Sequence, residues 1–500
     1  MFDLDLWFDE VAILFQTEMS FAEIWSFSTT ENFPPFYTWM LKVWGYFSTD
    51  IGWLRFLSAI FGSLIPLVCY LIGRELFNRK ESLYFGLLCA FSVPLIYYSQ
   101  NIRMYSLFVL LCSLSFLGFI KALKTNAWKY WVLVAVSNLL GFYTFLFMVF
   151  VMAGEFLVLF FRDRFRFTRY SRFLYLHLLV FILMLFWMVP FFERYINLSR
   201  EVQAHITLGQ IAKVFFFLGT GTDFSDKYLL AFFLNIPFAL GFIMGIRSWK
   251  DNKQITALAI LFCCTVLFSC VLSTLGPTIL YGRYLLFLLP IYFALILHGY
   301  KSVKSKILRT VVLSAVFISL LYSNLYYYTH YLKVHDDFRY LWYEVERVDG
   351  HSFSKIAREV ENQITEQEII VHYSDPSIRS FSFFPFLYYH GREQPEYIYS
   401  KDDLPQHAGY QYLRTGERLG SLDELAELPK GIWVITLNSS TILTDYETLV
   451  ETTRQSWIHH DNLPGELDYF GYKYNQSSSI GGVTAAHFIL SDEEKHQVDK

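Results

Sequence analysis

The chain has 500 residues, of which 54% are hydrophobic, 20% aromatic and 17% charged. Because a soluble domain is typically about 25% charged, this composition excludes an ordinary soluble protein and indicates a polytopic membrane protein. The net charge of −4 is too small to argue for a nucleic-acid partner, and the polar part of the chain has no basic run interleaved with aromatic residues.

The first segment of interest is "LWFDEVAILF", residues 6–15, in which Asp9 and Glu10 adjoin within an apolar stretch. Apolar residues from Trp7 to Phe15 recur at helical spacing and would form one face of a helix, and the two acids lie outside that face. The pattern predicts a helix at the outer membrane surface, with both carboxylates turned toward a cavity. The alternative is structural, since acidic residues also favour the start of a helix through its dipole.

A second short helix is predicted in "NFPPFYTWMLKVWGYF", residues 32–47. Its two prolines suit a helix start, and its tryptophans and tyrosines suit the lipid headgroup layer. It is too short to span a bilayer comfortably. If it did cross, the basic loops that follow would lie on the wrong side of the membrane. We therefore predict an interfacial helix.

Ten later apolar runs approach the roughly 20 residues that a helix needs to cross a bilayer. They lie at residues 53–74, 81–98, 103–121, 129–145, 146–161, 173–192, 228–247, 254–273, 282–299 and 308–330. Clusters of Lys and Arg occupy every second loop, which places those loops in the cytoplasm. The remaining loops, including residues 1–52 and everything after about residue 331, are predicted to face outward.

The last third of the chain is polar and predicts a small α/β domain. Its predicted strands are 369–373, 396–399, 431–437 and 484–490, and its predicted helices are 338–348, 353–364, 377–390, 421–428 and 444–458. All six cysteines fall in predicted membrane helices, where a small buried residue is the ordinary interpretation. No Cys or His spacing predicts a metal site made by the protein alone.

Several motifs in this order resemble the GT-C fold glycosyltransferases, in the branch of protein O-mannosyltransferases and aminoarabinose transferases. They are the Asp-Glu pair, "NFPPFY", "LRFLSAIFGSLIPLVCYLIGRELF", "YYSQNIRMYSLFVLL" and "GRYLLFLLPIYF". The resemblance covers about residues 5–300. It implies a polytopic all-α membrane domain of about ten helices plus interfacial helices, followed by a small extracytoplasmic α/β domain. The expected boundaries are 1–52 for the first outer loop, 53–331 for the membrane domain and 332–500 for the soluble domain.

The resemblance also implies a reaction, the transfer of a sugar from a polyprenyl-phosphate donor to an extracytoplasmic protein, lipid or glycan. Asp9 matches the catalytic acid of the family, and Glu10 matches a companion that could bind the acceptor or a divalent cation. No cofactor is otherwise implied. The bacterial inner membrane is the expected location.

Three arginines, Arg55, Arg103 and Arg283, are expected to hold the donor phosphate, because the topology places each at the outer end of a helix. Gln100, Tyr105 and Tyr284 are weaker candidates for contacts with the sugar or the lipid. The structural alternative for the arginines is pairing with lipid headgroups, which is common at helix ends.

The chain departs from the family pattern at two places. Asn32 and Phe33 stand where members have a His before the two prolines, so a His role is not inherited. The family also has a membrane helix before the Asp-Glu loop, whereas only eight residues precede Asp9 here. Either the true start lies upstream or that helix is missing.

Two other function classes remain open at the level of sequence. A transporter or flippase would carry ionisable groups near the middle of the bilayer and show two similar halves. Glu155 and His177 lie inside predicted spans, where such residues are functional candidates, but the halves show no similarity. A non-catalytic relative of the family is the third class.

Overall fold

The computed structural model divides the chain into two compact units, residues 17–327 and residues 3–16 with 328–500. We call them the membrane unit and the sheet unit, and describe each by itself. The structure describes residues 5–6, 8–29, 33–163, 170–195, 207–221, 228–275, 279–331, 352–373, 386–390, 395–399, 416–437, 463, 467, 470–480 and 483–491.

The membrane unit is built from helices throughout its described part. Helix α1 (Phe8–Glu18) begins in the sheet unit and is followed by α2 (Phe21–Ser28) and α3 (Phe36–Gly45). The remaining helices are α4 (Ile51–Leu76), α5 (Arg79–Ala90), α6 (Val93–Tyr98), α7 (Tyr105–Thr125), α8 (Trp128–Thr144), α9 (Met148–Asp163), α10 (Ser171–Tyr195), α11 (Leu208–Gly219), α12 (Tyr228–Arg247), α13 (Lys253–Leu275), α14 (Leu289–Lys301) and α15 (Lys306–Tyr326).

Six helices in the described ranges are long and apolar enough to cross a membrane, so the chain is an integral membrane protein. They are Ile51–Leu76, Tyr105–Thr125, Ser171–Glu193, Leu229–Arg247, Lys253–Thr274 and Lys306–Thr329. Every one of the ten predicted spans coincides with helix, although four of them are shorter or interrupted. The count of ten spans and their orientation therefore stay predictions.

Two predicted spans differ from the observed helices for the same reason. The predicted span 81–98 is divided between α5 and α6, with Pro94 in the first turn of α6. The predicted span 282–299 becomes helical only at a short 3₁₀ turn, Leu286–Leu288, that leads into α14, where Pro290 lies in the first turn. Proline lacks an N–H and restricts the residue before it, so a helix begins there more readily than it continues through.

The predicted helix at residues 32–47 is confirmed as α3, which begins directly after Pro35. Its position at the membrane interface stays a prediction. Helix α11 was missed because the sequence there was assigned to an outer loop. A capping box formed by Thr207 and Gln210 marks its start, a Thr-x-x-Gln signal that was present in the sequence.

Close backbone contact joins α12 to α14. A Cβ added at Gly299 would collide with the carbonyl oxygen of Gly241, and one at Gly245 with that of Leu295. Small residues spaced in this way let two membrane helices approach to backbone contact, where van der Waals packing replaces the hydrophobic driving force that lipid cannot supply.

A buried polar network ties α7, α8, α9 and α10 together. The Glu155 carboxylate accepts from the Ser115 hydroxyl at 2.7 Å and from the Asn138 amide at 2.7 Å. The same amide nitrogen lies 3.0 Å from His177 Nε2, and His177 Nδ1 donates to the Phe173 carbonyl. None of the four side chains is more than 3% exposed. Glu155 thus forms its hydrogen bonds within the bundle.

The sheet unit contains a six-stranded sheet in the order β3-β2-β1-β4-β6-β5. Its strands are β1 (Glu368–His372), β2 (Glu396–Tyr399), β3 (Gly416–Leu419), β4 (Gly431–Leu437), β5 (Tyr472–Ile480) and β6 (Val483–Leu490). The first four strands pair in parallel, and β6 pairs antiparallel with both β4 and β5. All four predicted strands are confirmed, whereas β3 and β5 were missed.

Helix α16 (Ser352–Glu361) confirms the helix predicted at 353–364 and covers one face of the sheet. The prediction at 421–428 is wrong, because only a short 3₁₀ turn, Leu422–Glu424, forms there. Residues 386–390 are helical, as predicted. The rest of the helix predicted at 377–390 lies outside the described residues, and so do the helices predicted at 338–348 and 444–458.

Removal of the Glu155 carboxylate should destabilise the membrane unit. Glu155→Leu deprives the buried Asn138 amide and Ser115 hydroxyl of the Glu155 acceptor and leaves Ser115 only the Asn138 side-chain oxygen, at 2.8 Å. A buried donor left unpaired costs about 1–3 kcal/mol. Glu155→Gln keeps one acceptor oxygen and should cost less. Thermal unfolding of the purified protein, followed by tryptophan fluorescence, measures the difference, with Phe160→Leu on the exposed side of α9 as the control. Equal unfolding temperatures for all variants would show that the network adds no stability.

Acid should weaken the sheet through Glu396. Burial raises the pKa of this carboxyl, but hydrogen bonds from His372 and His390 outweigh that effect and hold the pKa below its usual value of 4.5. A lowered pKa means that the stabilisation is complete above about pH 4.5 and is lost as the pH falls toward the lowered value. Hydrogen exchange of β1 and β2 amides, corrected for intrinsic rates, should show protection falling in that window.

The matched variants for this measurement are Glu396→Gln and Glu361→Gln, the latter at an exposed position at the end of α16. In Glu396→Gln the β1 and β2 amides should exchange faster than in wild type at pH 6, and their exchange should change less on acidification. In Glu361→Gln they should exchange as in wild type. An unchanged acid response in Glu396→Gln would contradict the assignment.

Candidate active site

The acidic pair lies in the first turn of α1, within the sheet unit. Glu10 is 2% exposed and Asp9 is partly exposed. Carboxylates in a first helical turn are stabilised by the helix dipole, so this placement fits the structural interpretation of the pair as well as the catalytic one. The predicted helix at this segment is confirmed, whereas Trp7 lies outside the described residues.

Arg103 lies in the membrane unit, two residues before the start of α7, and is 4% exposed. Its guanidinium lies over the Phe33 ring, 5.0 Å from the centroid, and 5.9 Å from the centroid of Tyr105. Phe33 directly precedes the two prolines at the start of α3. The structure therefore brings the "NFPPFY" and "QNIRMY" motifs together through a cation–π contact.

A hydrogen-bonded bridge adds α4 to the same region. The Tyr37 and Ser58 hydroxyls lie 2.8 Å apart, and the Ser58 hydroxyl donates to the Arg103 carbonyl at 3.4 Å. Arg55 lies one helical turn before Ser58 and is 4% exposed. Three of the motifs noted in the sequence thus meet within the membrane unit.

Arg283 and Arg103 border one cluster of aromatic rings. The Arg283 guanidinium lies 5.1 Å from the Tyr284 ring centroid. Tyr284 is 5.5 Å from Phe145, and Phe145 is 6.0 Å from Tyr105, which contacts Arg103. We call Tyr105, Phe145 and Tyr284 the aromatic cluster. Arg103, Tyr105, Arg283 and Tyr284 were all predicted as site residues, and the structure connects the four through Phe145.

Gln100 was predicted to contact the sugar or the lipid. In the structure its side-chain amide donates to the Ile96 carbonyl of the preceding helix at 3.1 Å. Its neighbour Asn101 was not predicted. The Asn101 side chain is 7% exposed, and its amide nitrogen has no hydrogen-bond partner within the described part of the chain. It is a further candidate donor for a ligand, and its signal in the sequence was its place between Gln100 and Arg103. Phe33 and Ser58 were also missed, because their roles depend on tertiary contacts.

The arrangement in the membrane unit is suited to an anion with an apolar body. Arginine presents a planar fork that matches two phosphate oxygens at once, while aromatic rings accommodate hydrocarbon. No group of His, Cys, Asp or Glu that could hold a metal ion occurs within the described ranges. The possible divalent cation therefore stays a prediction attached to Glu10.

The chain matches one protein family over part of its length. Residues 32–191 match the family described as dolichyl-phosphate-mannose-protein mannosyltransferase. The matched segment includes the "NFPPFY" motif, Arg55 and Arg103, whereas Asp9 and Arg283 lie outside it. No curated protein matches the chain significantly.

Two crystal structures of ArnT from Cupriavidus metallidurans share the fold of the chain. The apo form has a TM-score of 0.58 at 12% sequence identity, with 93% of this chain and 92% of that chain covered. The form bound to undecaprenyl phosphate has a TM-score of 0.57 at 11% identity, with 96% and 97% covered. At this identity the likeness establishes a common fold and leaves the reaction to be argued from the site.

The family match and the likeness to ArnT both agree with the helical architecture of the membrane unit. The family match falls in the membrane unit, where the motif residues converge, and the fold likeness extends across nearly the whole chain. The chain is thus an integral membrane protein that shares the fold of ArnT, as the GT-C resemblance in its sequence predicted, and its residues 32–191 match the dolichyl-phosphate-mannose-protein mannosyltransferase family.

Proposed function

We propose that this protein is an integral membrane glycosyltransferase that moves a sugar from a polyprenyl-phosphate donor to an acceptor outside the cytoplasm. The observation that carries the proposal is that Arg103 and Arg283 lie at the two ends of the aromatic cluster. A pair of cations beside apolar rings suits a ligand that joins a phosphate to a hydrocarbon chain. The family description and the ArnT complex with undecaprenyl phosphate support the same ligand class.

In the proposed reaction, an acceptor hydroxyl or amine attacks the anomeric carbon of the sugar. Asp9 takes the proton from the acceptor as general base, because a neutral hydroxyl is a weak nucleophile. The bond from the acceptor atom to the anomeric carbon forms as the bond from that carbon to the phosphate oxygen breaks. The electron pair leaves with the polyprenyl phosphate. One displacement of this kind inverts the anomeric carbon and needs no covalent intermediate.

Arg103 and Arg283 are proposed to stabilise the charge that develops on the departing phosphate. Preorganised donors in a dry environment are effective in this role because they need not reorganise when the charge appears. Arg55 is assigned a supporting role at the phosphate, and Asn101 joins Tyr105 and Tyr284 as a candidate sugar or lipid contact. Glu10 is assigned to the acceptor or to a divalent cation. The bacterial inner membrane, with the sheet unit outside, is the proposed location.

One observation favours a second candidate function, that of a transporter. The buried Glu155, Asn138 and His177 network lies within the helical bundle, where ionisable groups mark transport pathways in other membrane proteins. Its members satisfy one another through short hydrogen bonds across four helices, which equally fits a structural role. The effect of Asp9 substitution separates the two functions.

Substitution of the general base should slow turnover strongly while leaving the fold intact. In cells that lack the gene, a polyprenyl-phosphate monosaccharide should accumulate, and mass spectrometry of lipid extracts should identify its mass. Expression of wild type should remove it. Asp9→Asn should slow its consumption by at least roughly 100-fold, which is the ordinary contribution of a general base.

Glu18→Gln is the matched control for Asp9→Asn, because it neutralises an exposed acid at the other end of α1. It should behave as wild type at equal protein abundance. Identical lipid-linked sugars and identical extracellular glycans in the null, wild-type and Asp9→Asn cells would overturn the enzyme assignment and leave the transporter or a non-catalytic relative.

Removal of the Arg103 guanidinium should weaken phosphate binding. Loss of a charge-assisted hydrogen bond of about 1.5–3 kcal/mol corresponds to roughly 10- to 100-fold in affinity. Native mass spectrometry of the purified protein with undecaprenyl phosphate should show this loss for Arg103→Ala. Arg103→Lys, which keeps the charge but not the planar fork, should fall between Arg103→Ala and wild type. The control is Arg74→Ala, which removes an arginine from the last turn of α4, at the end opposite to Arg55. Equal binding by all four proteins would exclude Arg103 from the phosphate site.

A further inference from the structure

We infer that the sheet unit acts as a positioning device for the acidic pair, through two hydrogen bonds that anchor the chain just before α1. This inference rests on the proposed function, since it assigns a purpose to the placement of Asp9. It concerns residues 5–16 and the sheet of the same compact unit. The two anchors join residues that are 349 and 383 positions apart in sequence.

The first anchor is made by Asp5 at the N-terminus of α16. Its Oδ2 accepts from the backbone N–H of Ser354 at 3.0 Å. Ser354 is the third residue of that helix, where the N–H has no acceptor within the helix. Asp5 is 7% exposed. A buried carboxylate at this place accepts from an N–H of the first helical turn and also interacts favourably with the helix dipole.

The second anchor is made by the next residue along the chain. The backbone N–H of Leu6 donates to the Tyr389 hydroxyl at 2.7 Å, and the Leu6 side chain is fully buried. Two consecutive residues are therefore held by separate partners on the same domain. Because α1 starts at Phe8, its first turn with Asp9 and Glu10 follows directly from the anchored residues.

Tyr389 is itself held firmly to the sheet by its neighbours. It lies in the short helical segment 386–390, in which Phe386 packs into the apolar core beneath α16. His390 in the same segment lies 2.8 Å from Glu396 Oε1, and His372 of β1 lies 3.1 Å from Glu396 Oε2. A buried chain of contacts thus leads from β1 and β2 through this segment to Leu6.

Precise placement of a general base has a large effect on rate. A displacement of about 1 Å at a reacting group can cost roughly 100-fold, even when the altered residue is remote from the chemistry. The two buried hydrogen bonds hold residues 5 and 6 in one position, and so determine where α1 begins. Exposed polar contacts would allow the position of these residues to vary. We therefore assign Asp5 and Tyr389 as positioning residues for Asp9, and neither is assigned a contact with the donor.

The variants are chosen to separate positioning from folding. Asp5→Ala and Tyr389→Phe each remove one anchor, whereas Asp5→Asn keeps an acceptor oxygen for the Ser354 N–H and should rescue most of the function. Tyr397→Phe is the matched control, because it removes a hydroxyl from the same sheet where the ring packs against the opposite apolar core.

Hydrogen exchange of the full-length purified protein is the first readout. Asp5→Ala and Tyr389→Phe should raise exchange in peptides that cover residues 8–16 and leave β1 and β4 unchanged. The second readout is the consumption of donor in native membranes of null cells expressing each variant, titrated with lipid extract from the null cells. The maximal rate should fall by roughly 10- to 100-fold, while the amount of extract that gives half-maximal rate stays as in wild type.

Asp9→Asn is measured in parallel so that the two hypotheses fail in different ways. Raised exchange with a reduced maximal rate, rescued by Asp5→Asn, supports the inference. It is overturned by unchanged exchange, or by raised exchange with a wild-type rate when Asp9→Asn is inactive. If Asp9→Asn consumes donor as fast as wild type, the proposed function is wrong and the positioning role is rejected with it.

Discussion

The contact between the Arg103 guanidinium and the Phe33 ring is the interaction on which the site in the membrane unit depends. A cation that is 4% exposed must recover in contacts what it loses in hydration. The face of an aromatic ring supplies part of that energy without occupying the N–H edge of the guanidinium. The contact also determines which chain segments meet, because Phe33 begins the turn into α3 and Arg103 ends the approach to α7.

The loss of hydration on burial, which the Phe33 ring offsets for Arg103, also explains the rest of the membrane unit. Groups that cannot be hydrated must be satisfied within the protein, which is why every described element there is helical. The buried network around Glu155 follows this rule with side chains, and the contact of α12 with α14 follows it with backbone atoms and glycine. Neither feature lies in the aromatic cluster, so the bundle is stabilised apart from the proposed site.

The sheet unit solves a different problem, which is to hold a short N-terminal segment in one place. Burial of Leu6 and the two anchors on residues 5 and 6 give the first turn of α1 a fixed origin. Parallel strands β1, β2 and β4 supply a rigid base for the segment 386–390 that carries Tyr389. A role for the C-terminal third of the chain in presenting the acidic pair accounts for a domain in which the sequence shows no catalytic motif.

Hydropathy by itself determined the class of the protein and most of its helices, because a span of apolar residues has few other ways to satisfy its backbone in lipid. Short apolar runs predicted β1, β2, β4 and β6, whereas β3 and β5 are largely polar and gave no such signal. The ordered motifs indicated Arg103, Arg283, Tyr105 and Tyr284 as residues of one site, and the structure connects these four through the Phe145 ring.

Only the tertiary structure revealed the partners of these residues. Phe33 beside Arg103, Ser58 beside the Arg103 backbone, and Asp5 at the start of α16 each depend on contacts between segments distant in sequence. Local sequence carries no record of such pairs, since a ring, a hydroxyl or a carboxylate has the same local preferences whatever it later meets. The sequence thus determined which chemical groups the protein has and where its apolar helices lie, and the folded chain decided which of those groups face one another.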